Sequence, residues 1–222
     1  MRRSGGPTVE SEEPLPPTSD DRIDGPVAAP VDEPSPTTAH RHAVAIGGLF
    51  YLVVSLVVWW NVWAHPSSTT TCGCGDPGLF MWFLAWPAHA IANGLDPLHS
   101  SAVFPPHGMN LLANTGVLAV GVVLAPVTWL FGPVTTLNVA MTASPVLSAM
   151  AMFVLLRRWV GWSPAAWFGG LLYGFSPFAL TNLAAGHIML GLLVVPPLIV
   201  LCLDELLVRQ SRRPVATGVV LG

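Results

Sequence analysis

Between His42 and Cys202 the chain carries four formal charges, Asp76, Asp96, Arg157 and Arg158. A soluble domain, in which about a quarter of residues are charged, cannot leave so long a stretch this bare and still present a wet surface. Lipid can cover such a stretch, and the rest of the composition agrees: 52% hydrophobic residues, 9% charged and a mean hydropathy of +0.61 over 222 residues. These values place the chain among membrane proteins. A net charge of −3, with nine Arg and no Lys, leaves no basic footprint for nucleic acid.

Residues 1–42 differ from everything that follows. They hold eight prolines and eight acidic residues with few large apolar side chains, too little to offset the entropy of ordering, so a disordered tail is expected. The 22 uncharged residues 43–64, "AVAIGGLFYLVVSLVVWWNVWA", then suffice for about 33 Å of helix, against a hydrocarbon core of about 30 Å. Arg2, Arg3, Arg22 and Arg41 precede that run, and Trp59, Trp60 and Trp63 crowd its far end in the manner of an aromatic belt. The tail is therefore expected in the cytoplasm and the following loop outside.

Further apolar runs cover about 115–131, 135–156, 162–181 and 186–206. Another opens at Pro214 and the chain ends within it, as expected for the N-terminal part of a longer polytopic protein. Arg157 and Arg158, and again Arg209, Arg212 and Arg213, are expected on the cytoplasmic side. The run 135–156 then goes inward, 162–181 outward and 186–206 inward. Parity requires that 115–131 not cross. Pro126 at its centre removes a backbone donor and favours a break, and 79–93, with Pro87 and His89, is short for a crossing. Both are expected to be embedded without spanning, so that 65–134 forms one long extracytoplasmic region. Its segment "LFMWFLAWPAHAIA" should lie along the interface with its aromatic rings among the headgroups. The Pro196–Pro197 pair implies a kink within the last span, and Gly169 and Gly170 allow close helix packing.

The charged residues of the outer loop are the candidates for chemistry. Asp76, in "CGCGDPG", is placed to cap a helix beginning near Leu79. A carboxylate held beside a bilayer is equally suited to deprotonating a hydroxyl or to coordinating a divalent cation. Asp96, in "NGLDPLHS", has the surroundings of a turn residue, with contact to substrate as its second reading. His65, His89, His99, His107 and His187 all fall near the outer face, without the i, i+4 spacing of a metal pair. His187 stands at a helix end able to close over the same cavity as Asp76. Cys72 and Cys74, one residue apart, are read as too close for an unstrained disulfide, and neither has zinc-site spacing. Cys202 reads as a small residue of the core or lipid face. Arg157 and Arg158 read as topology anchors before phosphate ligands.

This arrangement resembles the N-terminal part of the GT-C superfamily of polytopic glycosyltransferases. The resemblance covers residues 43–222. It rests on the first span, the long outer loop with the early acidic residue of "CGCGDPG", the block "VLLRRWVGWSPAAWFGGLLYGFSP" and the loop sequences "HPSS" and "FPPHGMNLL". It implies transfer of a sugar from a polyprenyl-phosphate donor, with Asp76 at the active site. Where many members add a second acidic residue beside the first, this chain has Pro77, which favours a base over a cation ligand.

The fold expected is all-α: a polytopic transmembrane helical bundle (43–222) with a disordered cytoplasmic tail and interfacial or re-entrant helices in its first loop. The function expected is glycosyl transfer to a glycan, lipid or protein hydroxyl at the outer face of a bacterial plasma membrane. Asp76 is the base, and His187, His107 and Asp96 are the substrate contacts. No cofactor is assigned, and a divalent metal is the open alternative. Competing readings are a transporter or flippase component, whose ionisable groups would lie within the spans, and a non-catalytic assembly subunit.

Overall fold

Apolar runs punctuated by Gly and Pro produce helices joined by short breaks. A computed structural model describes residues 38–113 and 116–208, all within the compact unit that begins at Ser35. The tail to residue 37, the cluster Arg209, Arg212 and Arg213, and the run from Pro214 lie outside the described residues. The described part is mostly helical: α1 (Thr38–Val58), α2 (Trp60–Trp63), α3 (Gly75–Asn93), α4 (Leu118–Val123), α5 (Ala125–Leu156), α6 (Ser163–Gly174), α7 (Pro177–Ala184), α8 (Ile188–Gly191) and α9 (Val195–Leu203). A π-helical turn, Asp204–Val208, follows α9. Two-residue strands, β1 (His99–Ser100) and β2 (Met109–Asn110), close a hairpin in the 99–110 loop.

Residues 38–42, assigned above to the tail, already belong to α1, whose apolar portion is His42–Val58. The run expected to continue to residue 64 breaks at Trp59, which leaves helical geometry (φ −101°, ψ 18°). That break turns Trp59 and Trp63 inward. Trp59 is buried in the main apolar cluster, and Trp63 Nε1 donates to Thr142 Oγ1 at 2.9 Å. Only Trp60 of the three stays well exposed, so the expected belt is mostly core. The aromatics of α3 behave likewise. Phe80 and Phe83 are buried, and Trp82 and Trp86 stack with centroids 5.5 Å apart, partly buried against the same cluster.

The break expected at Pro126 lies just before it, at Leu124, because proline is tolerated in the first turn of α5. A second break falls at Gly132, whose φ of 83° is open to glycine and ends one helical piece before Pro133 starts the next. The runs 162–181 and 186–206 are each split as well. Ser176 Oγ accepts the Ala179 N–H and Pro177 opens α7. Pro196 and Pro197 sit in the first turn of α9 and do not kink a continuous helix, the irregular residues being 192–194 just before it. The backbone at that break keeps its partners: Leu193 N–H donates to Ser148 Oγ and Tyr173 O–H donates to the Leu193 carbonyl, both at 2.9 Å.

Helix α5 is the central post, packed by α1, α3, α6 and α9. Gly170 and Gly174 let α6 approach it closely, for a Cβ at Gly170 would lie 2.6 Å from the Ala149 carbonyl and one at Gly174 2.6 Å from the Ala149 N. Two stretches, Ala125–Leu156 and Ile188–Val208, are long and apolar enough to cross a bilayer by length and composition.

Candidate functional site

The loop after α2 is tied down before it reaches Asp76. Asn138, 1% exposed on α5, donates from Nδ2 to the carbonyls of Pro66 and Thr69, each at 2.8 Å. Both donors are spent, and Oδ1 is buried without a partner among the described residues. Two residues further on, Thr71 Oγ1 donates to the Leu183 carbonyl at 3.3 Å. Cys72 and Cys74 then form a disulfide. A bend at Gly73 brings their Cα atoms to 5.3 Å, within the usual range, because residues two apart meet that separation whenever the chain turns.

Cys74 is the N-cap of α3, and Asp76 stands in the first turn, where the helix dipole favours a negative charge. The opposite wall is the turn between α7 and α8. Gly186 adopts φ 88° and packs against Pro77, where a Cβ would lie 2.8 Å from the ring. His187 N–H donates to the Asn182 carbonyl at 2.8 Å, fixing the next residue of the turn. Its side chain then meets the first turn of α3: His187 Nε2 and Asp76 Oδ2 are 2.5 Å apart. With Asp76 ionised, Nε2–H donates, which leaves His187 Nδ1 and Asp76 Oδ1 for other partners. The side chains are 34% and 48% exposed, so both remain reachable from solvent. Such a pair orients one proton acceptor and holds it open to an incoming hydroxyl.

The other candidates stand apart from this pair. Asp96 is exposed, its Oδ1 accepting the Leu98 N–H at 2.8 Å in a local turn. His107 is exposed in the 99–110 hairpin. Neither makes a hydrogen bond or ion pair with Asp76 or His187 among the described residues. His89 contacts Trp86 and Asn93 on its own helix, and His65 is exposed. Arg157 donates to the carbonyl of Val160 at 2.9 Å and to that of Gly161, and Arg158 pairs with Glu205 at 2.5 Å, which ties the end of α5 to the turn after α9. Among the described residues no group of three or more His, Cys, Asp or Glu side chains is placed to hold a metal ion.

Sequence reasoning missed three parts of the site: the disulfide, the Asn138 clamp and the Thr71 tether. The Cys-Gly-Cys-Gly stretch was the available signal for the first. The other two depend on contacts between residues 69 or more positions apart, which no local pattern announces. No family model, curated protein or solved structure matches the chain.

Proposed function

We propose that the chain forms all or part of an integral membrane glycosyltransferase that moves a sugar from a polyprenyl-phosphate donor to an acceptor hydroxyl at the outer face of a bacterial plasma membrane, with its N-terminus in the cytoplasm. The observation that carries this reading is the 2.5 Å contact between Asp76 and His187. In the reaction the acceptor oxygen bonds to the anomeric carbon while its proton passes to Asp76 Oδ1. The bond from that carbon to the lipid phosphate breaks, and the phosphate leaves with its electron pair. His187 holds the carboxylate in one rotamer throughout.

Three further observations support the setting. His187 and Glu205 are 18 residues apart and flank most of the apolar stretch Ile188–Val208. Even with its break at 192–194 this path could rise up to about 27 Å, close to the roughly 30 Å hydrocarbon core, with the Asp–His pair near one end and the Arg158–Glu205 pair near the other. Arginine favours the cytoplasmic end, and a disulfide persists on the oxidising side, so both features orient the path the same way. The break at residues 192–194 has its Leu193 N–H and carbonyl bonded to side chains of α5 and α6, which broken helices inside lipid require. For the donor's tail there is an apolar crevice of about 290 Å³ between α4 and α5, lined by Val120, Val123, Ala140, Leu147 and Leu192.

The test is transfer of labelled sugar from polyprenyl-phosphate donors to glycan, lipid and protein acceptors, in membranes containing the full-length protein. Asp76→Asn should lower transfer by about 10² to 10⁴-fold, the usual contribution of base catalysis, with insertion unchanged. Retained transfer in that variant would sink the assignment.

A further inference from the structure

We propose that the Cys72–Cys74 disulfide is the positioning element that holds Asp76 against His187, so that the pair exists only in the oxidised chain. This rests on the reading of Asp76 and His187 as the reacting pair, and it begins from the short stretch around the N-cap, between the Thr71 tether on one side and the Gly186–Pro77 contact on the other. Gly73 and Gly75 flank the N-cap, and a Cβ built at either would meet nothing within 4 Å. No side chain caps α3, since Cys74 offers none. Two glycines without packing neighbours make this the freest backbone the chain could place before a charged residue.

The disulfide removes that freedom at the point where it matters. It sets Cys74 in extended geometry (φ −86°, ψ 171°), the conformation from which the first turn of α3 and hence Asp76 departs. It also rests against the other wall of the site. Cys74 Sγ lies 3.4 Å from the carbonyl oxygen of Ala185, two residues before His187, and Thr70 Oγ1 donates to the Cys72 carbonyl at 2.8 Å. The cross-link therefore touches both segments that carry the pair. Its loop is only three residues long, so it withdraws little entropy from the unfolded chain compared with a long-range bridge. Its effect is local positioning, with little share in global stability.

Reduction is a two-electron step. Dithiothreitol passes two electrons and two protons to the disulfide, leaving two thiols and its own cyclic disulfide. The full chain with ¹⁵N-labelled histidine, in lipid nanodiscs, is observed by imidazole ¹⁵N resonances, and His187→Gln identifies the His187 signals. In the oxidised chain those signals should stand apart from the remaining histidines, and Asp76→Asn should abolish the difference. Dithiothreitol should move them to the positions of exposed histidine, reoxidation should restore them, and Cys72→Ser/Cys74→Ser should match the reduced chain with an unchanged melting temperature. The proposal is overturned if the His187 signals are the same with and without the disulfide, or if reduction melts the whole fold. A parallel transfer assay separates this from the function: reduction should lower wild-type activity and leave His187→Gln unaffected. No transfer in the oxidised wild type, with the resonance shift intact, would count against glycosyl transfer alone.

Discussion

The imidazole of His187 meets the carboxylate of Asp76 across 111 residues of chain, with 2.5 Å between Nε2 and Oδ2. The contact joins the start of one helix, α3, to the turn that precedes another, α8, and every restraint on either segment bears on it.

If Asp76 receives the proton, His187 matters through orientation. His187→Gln keeps a donor and should lower transfer by up to about 10²-fold, the scale of a displaced reacting group, less than the loss in Asp76→Asn. Single-turnover transfer by both variants decides the roles. A larger loss in His187→Gln would make Nδ1 of the imidazole the acceptor of the proton.

Gly186→Ala should loosen the turn that presents His187. Alanine at φ 88° costs about 1–2 kcal/mol, and its Cβ would press on Pro77. Thermal unfolding in detergent should show the lower midpoint, while Gly75→Ala, which meets open space, should leave the midpoint unchanged.

Asn138→Ala removes both donors from the carbonyls of Pro66 and Thr69. The expected cost is roughly 1–3 kcal/mol for buried acceptors left without partners. Limited proteolysis should then cut between residues 64 and 75 before any cut within α5.

Arg158 and Glu205 are mostly buried partners, 25% and 20% exposed. Arg158→Glu and Glu205→Arg should each destabilise, and the double exchange should recover part of the loss. A coupling of about 0.5–3 kcal/mol is expected for residues in direct contact. Additive losses in a double-mutant cycle would show that the pair contributes nothing to holding α5 against the turn after α9.

Most helices were legible in the sequence as uncharged runs, since burial and lipid contact impose the same apolar composition. Their breaks were less so. Gly132–Pro133 is a readable stop, yet Pro126 drew attention first, and a proline alone does not say whether it opens a helix or interrupts one. Trp59 and Trp63 show a second limit: a tryptophan at a helix end suits an interface or a core equally, and the outcome turned on Thr142, 79 residues from Trp63. Asp76 was conspicuous because so few charges surround it. Its contact with His187 could be suspected from placement at helix ends, but the disulfide and the Asn138 clamp that shape its approach depend on backbone bends and long-range packing.

The separation of Asp76 and His187 along the chain also sets an order of events during synthesis. A ribosome adding about 5–20 residues per second releases His187 roughly 6 to 20 s after Asp76. Throughout that interval the aspartate has already emerged, with α4, α5 and α6 still being made, and its partner does not yet exist. A nascent chain shorter than 187 residues is thus incapable of forming the pair, and Asp76 waits for its partner until the scaffold around it has been laid down.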